Sequence, residues 1–555
     1  MGDILIRLDG PLNVSLAQNF IDLQPDYYFQ EACIVYGKEG TFRLIRNKED
    51  AVVGVGYLCH IDKQSFQESL SDILTSFQES NIGKLKRSLV GQFILLIKRG
   101  PFLYIFSDFL GARNIFYTSD KKIISSSFSA IESLLNPNES DVDIDKIFEF
   151  VAMRPFYPGW IGRSTINKRI KWLMPYEYIK IDLSSGNVNI ESIEFYLENK
   201  KSGSCQDMAY KSICILKAII KKEEFLDSEV GVSITGGVDT RLVAGIVSDK
   251  YARTRFRIAA SRENLDSMHD LSVAKKLARI QKVPLDIYYF QRGRDDDKYC
   301  ELTEGFSPVF NKTITPLIDN ADRYSIGFGG VYGSELFEPL YYSSIDEFFN
   351  KRIQNSKKLV HTTPRFWSKL RDEFFEQFMD IKNKYRVSKY NEVDYIRIFY
   401  LLNTARYSSF IARAFNQLGY QLEPYGTFAM LEFALQVAPE LLGDSRRTIE
   451  GGARVQKAAL EYLNSRMAKI IAFKEFRPML HLSGSTFPYY LVGFILHAKY
   501  FLRARLKRYS QEMIKVYLPQ GYYLTNGWEA NLRFRLKNRY KIKITEHHEH
   551  FKWTS

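Results

Sequence analysis

Cysteine is scarce in this chain. Its 555 residues hold five: Cys33, Cys59, Cys205, Cys214 and Cys300. They are scattered and odd in number, and no pair has metal-ligand or redox spacing. That excludes a disulfide-stapled scaffold and fits reduced core thiols in a cytoplasmic protein. Membrane-length apolar runs are also missing. Phe487–Leu496, at ten residues, is too short to span a bilayer. The N-terminus has no basic n-region and no apolar core, so no secretory signal is read there. Ile6 stands where Ser or Thr would favour myristoylation of Gly2. Acidic residues thin out towards the C-terminus. From Phe487 to Ser555, 13 Lys and Arg face 4 Glu, which places +9 of the net +13 there. Such an excess could serve an anionic membrane surface or an acidic partner. A solvated helical face is the plainer reading, and no nucleic-acid partner is expected.

What is present reads as an ordinary globular protein, with 45% hydrophobic and 25% charged residues. A chain this long implies two to four domains. It is organised around Val230–Gly245. The apolar run Val230–Ile234 has strand character, Thr235-Gly236-Gly237 is a turn, and Arg241–Val247 can run as a helix. Strand, glycine turn and helix form a phosphate cradle. Glycines let backbone N–H groups approach an anion, and the helix N-terminus adds partial positive charge. Thr235 and Thr240 offer hydroxyls, and Asp239 offers a carboxylate for Mg²⁺. No lysine follows the glycines, so this is not the Walker-type loop. The hexamer Thr235-Gly236-Gly237-Val238-Asp239-Thr240 resembles the Ser-Gly-Gly-x-Asp-Ser loop of ATP enzymes that release pyrophosphate.

The first 195 residues are rich in short apolar runs. Ile4–Leu8, Cys33–Tyr36, Thr41–Ile45, Val52–Leu58, Gln92–Ile97 and Leu103–Phe106 read as strands, and Phe66–Glu79 reads as an amphipathic helix. This predicts a layered α+β domain over residues 1–198, ending at the polar stretch Asn199–Cys205. Within it, Gly91-Gln92-Phe93 leads to Ser107-Asp108-Phe109-Leu110-Gly111-Ala112-Arg113-Asn114-Ile115-Phe116-Tyr117. These segments resemble the glutaminase domain of the asparagine synthetase family, an Ntn-type sandwich. Asp108, Gly111, Phe116 and Tyr117 fall on the family pattern. Ser107 replaces its arginine, and Asn114-Ile115 stands where proline is usual. The family's nucleophile is an N-terminal cysteine. Gly2 stands in its place and no Ser or Thr precedes Ser15, so the resemblance implies a degenerate glutaminase that does not hydrolyse glutamine.

The resemblance continues over residues 199–480, implying an α/β doubly wound synthetase domain of the adenine-nucleotide α-hydrolase type. Arg255–Ala260 and Pro284–Phe290 read as further strands, with a helix over Asp266–Gln281 between them. The resemblance implies that Ile234, Thr235, Gly236, Gly237, Val238, Asp239, Thr240, Ile258, Gly330 and Val331 bind the nucleotide. The segment Gly329-Gly330-Val331-Tyr332-Gly333-Ser334-Glu335-Leu336-Phe337 resembles the family's S-G-E-G-x-D-E-x-F loop. The preferred register puts Glu335 on the Mg²⁺-binding acid, because it keeps a second carboxylate opposite Asp239. It also puts Tyr332 where β-lactam synthetases carry a tyrosine. The other register puts Ser334 on the metal acid. Further on, Pro424-Tyr425 and Glu432-Phe433-Ala434 match the family. Thr427 and Leu422 replace its Asp and Arg, which implies a remodelled substrate pocket.

A helix from Lys457 precedes Lys469–Pro478, where the family's charge-neutralising lysine falls on Lys474. The resemblance therefore implies an ATP- and Mg²⁺-dependent ligase. A small-molecule or peptide carboxylate is activated as an acyl-adenylate and transferred to an amine or ammonia. Lys474 stabilises developing charge, and Tyr332 aided by Glu423 removes the amine proton. Ring closure of a β-lactam or lasso peptide, amidation of a polysaccharide sugar acid, and a non-catalytic partner role stay open. Residues 481–555 are expected to be a basic helical extension.

Overall fold

The computed structural model describes residues 3–8, 27–29, 33–36, 42–153, 160–201, 203–260, 265–289, 304, 306, 315–337, 342–357, 360–416, 419–442, 453–470, 472–474, 477–479, 511–517, 523–525, 540 and 545–551. The N-terminal runs pair into two six-stranded sheets. In the second, Ala51–His60 pairs antiparallel with Phe42–Arg46 and Leu89–Arg99, and Leu89–Arg99 pairs with Phe102–Ser107. Strand residues alternate between faces. Ile4, Ile6, Val53, Val55, Ile94, Leu96, Ile105 and Ile179 meet in an apolar layer between the sheets. Val52, Leu95, Ile97 and Phe106 turn to the other face, towards the Phe66–Ser76 helix. The Phe128–Leu135 helix packs on the first sheet. The expected layered α+β arrangement is present as helix, sheet, sheet and helix.

The second half is built on five parallel strands. Their order is Leu285–Tyr289, Thr254–Ala260, Val230–Ser233, Ile326–Phe328 and Tyr420–Leu422. In chain order this is third, second, first, fourth, fifth. The winding reverses between Val230–Ser233 and Ile326–Phe328, and an open sheet binds ligands in the crevice beyond such a reversal. The Val238–Lys250 helix is buried around most of its girth because helices Cys205–Ile220 and Arg454–Leu463 cover it.

The two halves share one apolar cluster. Tyr57 packs on Tyr420 at 5.6 Å between ring centroids, and Phe109 packs on Phe428 at 5.0 Å. Asn199, expected in a polar boundary stretch, is buried. Its Nδ2 donates to Lys389 O at 2.6 Å and to Asp394 Oδ2 at 2.8 Å. Polarity here serves a clamp between segments rather than solvent.

The expected helical character of residues 481–555 is corrected where the chain is described. Gln511–Tyr517, Tyr523–Thr525 and Thr545–Phe551 are strands, joined with Val360–His361 in an antiparallel sheet. The reason is pairing: Gln511–Tyr517 and Thr545–Phe551 supply each other's ladder along their whole length, which overrides a local preference. Gly2, the Phe487–Leu496 run and the basic residues that follow it up to 508 lie outside the described residues.

Candidate active site

The Val230–Ser233 strand delivers Thr235-Gly236-Gly237 to the edge of the crevice. Ile234 is buried beneath it, its N–H donating to Arg257 O at 3.0 Å. The loop is braced from within. Gly237 N–H donates to Thr235 Oγ1 at 3.2 Å, and Thr235 N–H to Thr240 Oγ1 at 3.3 Å. Gly236 N–H is taken by Asp270 Oδ1 at 2.7 Å. Buried Arg241 pulls the loop carbonyl the other way, with Nη2 donating to Gly236 O at 2.9 Å and Nη1 to Ile470 O at 2.8 Å. Gly237 caps the Val238–Lys250 helix without a side-chain hydrogen bond. The positive end of the helix dipole thus faces the crevice.

Beyond the reversal, the Ile326–Phe328 strand delivers Gly329-Gly330-Val331-Tyr332 against this loop. A Cβ on Gly330 would sit 2.8 Å from Thr240 N, and one on Gly333 would overlap the Asp239 carboxylate. These glycines permit the two loops to touch. Asp239 is gripped from two further segments: Gln456 Nε2 donates to Asp239 Oδ1 at 2.7 Å, and Ser334 Oγ lies 3.5 Å from Oδ2. Ser334 and Glu335, the two candidates for the metal acid, both lie in the short Gly333–Phe337 helix that packs on Asp239, and Glu335 is buried. Tyr332 has φ +75°, an uncommon left-handed conformation for a bulky residue, and is buried. Its ring lies against the Glu423–Gly426 turn, where a Cβ on Gly426 would meet Tyr332 Cδ2 at 2.8 Å.

Glu423 follows the Tyr420–Leu422 strand. It accepts from Val331 N–H and from Gln421 Nε2, each at 2.9 Å. Burial pushes its carboxyl up to about 7, against the lowering effect of these two donors and of Arg257. Burial and the negative charge of Asp239 raise the Tyr425 hydroxyl.

Two buried polar atoms near Asp239 have no hydrogen-bond partner among the described residues: Gln456 Oε1 and the Tyr425 hydroxyl. Buried polar groups are normally satisfied, so these fit a site that receives a polar ligand. Asp239, at the contact of the two loops, also suits Mg²⁺, which uses one or two protein acids together with substrate phosphates. Among the described residues no group of three or more His, Cys, Asp and Glu is arranged to hold a metal.

The structure therefore brings Thr235–Thr240, Gly330, Val331, Tyr332 and Glu423 to one crevice. Ile258 is buried in the neighbouring Thr254–Ala260 strand. Lys474 ends the short strand Ala472–Lys474, paired with Arg477–Met479; its side chain lies outside the described residues. The segment starts near the loop because Arg241 ties Ile470 O to Gly236 O. Sequence reasoning missed Gln456, Arg241 and Gln421. Gln456 carried a signal: it falls on the buried helical stripe of Ala459 and Leu460, a polar residue where an apolar one is expected.

No protein-family description and no curated protein sequence matches the chain. Among solved structures, it is similar to glutamine phosphoribosylpyrophosphate amidotransferase from B. subtilis complexed with ADP and GMP. The identity is 11% over 53% of this chain and 61% of that one, with a TM-score of 0.21. The allosteric regulatory enzyme of purine biosynthesis matches at 12% identity over 64% of this chain and 72% of that one, with a TM-score of 0.20. The chain thus spans about three fifths of the first relative's length. Likeness this distant establishes no family, and the site rests on its own geometry. No helix among the described residues is long and apolar enough to cross a membrane.

Proposed function

We propose that this chain is an ATP-dependent amide-forming ligase resembling asparagine synthetase. A carboxylate attacks the α-phosphate of ATP and releases pyrophosphate. An amine or ammonia then attacks the acyl-adenylate and releases AMP. The observation that carries this reading is the contact at the winding reversal: a glycine loop and helix N-terminus on one side, Gly330 and Gly333 on the other, and Asp239 between them. Asp239 would hold Mg²⁺, which neutralises phosphate charge when bound. Glu423, poised near neutrality beside the Tyr332 ring, supports its assignment as the base for the amine proton. In the register that puts Glu335 on the metal acid, Tyr332 favours the ring-closing version of the reaction, since β-lactam synthetases carry tyrosine at the matching position.

Glutamine is not the proposed nitrogen source. The Cys59 and Cys205 thiols are raised by burial, the opposite of what a thiolate nucleophile needs. The deciding experiment is calorimetric titration with ATP and Mg²⁺, paired with a pyrophosphate-release assay on candidate carboxylates and amines. Asp239→Asn is expected to weaken Mg²⁺-dependent nucleotide binding while the fold survives. Unchanged binding in that variant would remove the reading.

A further inference from the structure

A second cavity, of about 620 Å³, lies between the N-terminal sandwich and the Pro364–Lys384 helix. None of the crevice residues lines it, so its occupancy is independent of the ligase reading. One wall is the helix. Glu373, Glu376, Gln377 and Asp380 are spaced by three and four residues and share one face. The facing wall is Lys146, Arg163 and Tyr176.

The donors of that facing wall are already engaged. Lys146 Nζ lies 2.5 Å from Glu149 and 2.6 Å from Glu373. Arg163 pairs with Glu177, and the Tyr176 hydroxyl donates to Asp380. The acceptors on the helix are not matched in the same way. Gln377 is only 5% exposed, and its Oε1 has no hydrogen-bond partner among the described residues. Glu376, exposed at the mouth, meets no cation among the described residues. The lining holds three carboxylates and two cations; Arg163 is paired with Glu177, and Lys146 with Glu149 and Glu373, which leaves Glu376 and Asp380 without a cation among the described residues. A ligand that completes this cavity must bring hydrogen-bond donors and positive charge.

We propose that the cavity is a binding site for a small organic cation of the alkyl diamine class. One ammonium meets Gln377 Oε1 and Asp380, and the other meets Glu376. Glu376 and Asp380 are four residues apart, about 6 Å along the helix axis, which a short diamine spans. The volume lies within the range of small-molecule pockets, and the polar wall selects against an apolar occupant.

Calorimetric titration of the full chain with putrescine, butanediol and succinate tests this. Saturable binding of putrescine is expected, with neither the neutral diol nor the dianion binding. Glu376→Gln, at an exposed position, should keep the thermal midpoint and weaken putrescine binding roughly tenfold or more. Gln377→Leu should weaken it as well, by removing the buried acceptor. The proposal is overturned by no saturable putrescine binding, by equal binding of succinate, or by unchanged putrescine affinity in both variants.

Discussion

At the residue scale, Asp239 and Glu423 show how position sets chemistry for the same functional group. Asp239 stands at the crevice with hydrogen-bond donors from Gln456 and Ser334. Glu423 is walled in, and burial raises it to about 7. Between its ordinary value and 7, the folded state holds a proton that the unfolded chain has lost. Its contribution to stability is therefore full at low pH and falls as pH rises through 7. Glu423→Gln removes that loss. Relative to the parent protein, denaturant titrations should show the variant gaining stability between pH 5 and pH 8, by up to a few kcal/mol. Turnover should lose its inflection near 7 in the same variant, since the base is gone. Lys474 is the other residue whose role can be separated by kinetics. Lys474→Ala should lower turnover by roughly 10²-fold, as when a preorganised charge-stabilising group is lost. Nucleotide affinity should change far less, because the charge it meets develops only in the transition state. Exposed Lys469 is the control, and its loss should be mild. The reverse pattern would move the site to the earlier lysine.

At the element scale, the decisive feature is the contact of two loops from strands that are neighbours in the sheet but distant in sequence. Val230–Ser233 and Ile326–Phe328 pair in parallel, so both loops leave the same end of the sheet. Gly333 lets them close, because any Cβ there would overlap the Asp239 carboxylate. Gly333→Ala should therefore displace Asp239 and destabilise the fold by about 1–3 kcal/mol, the usual cost of overpacking. Denaturant melts and Mg²⁺-dependent nucleotide titration should report both losses together. Normal Mg²⁺-dependent binding in the variant would mean that the loop contact does not set the position of Asp239.

At the scale of the whole molecule, the N-terminal sandwich and the parallel sheet do not have separate cores. One apolar cluster includes Phe66 and Phe106 of the first half and Val232 and Leu431 of the second. Aromatic pairs cross the junction at Tyr57–Tyr420 and Phe109–Phe428, and the strand Phe195–Leu197 pairs with Tyr385–Val387. Differential scanning calorimetry should therefore give one cooperative transition rather than two. Asn199→Ala leaves Asp394 and Lys389 O without their amide donor, and should lower stability by about 1–3 kcal/mol. Two well-resolved transitions in the parent protein would show that the halves unfold independently despite their shared cluster.

The sequence alone determined the features that repeat locally. Strand runs such as Cys33–Tyr36 were legible because apolar and β-branched residues bounded by turns leave few alternatives. The loop Thr235–Thr240 was legible because glycines with a following helix carry their own signal. What depended on tertiary structure was every partnership between distant segments. No periodicity announces that Gln456 reaches Asp239, or that Arg241, which holds Gly236 O, reaches Ile470 O across 229 positions. The choice between Glu335 and Ser334 turns on a one-residue register that composition does not resolve, because Gly333, which touches Asp239, precedes both. The strands at Gln511–Tyr517 and Thr545–Phe551 were hidden for a related reason. Strand propensity is weak until a partner supplies the ladder, and here each strand is the other's partner.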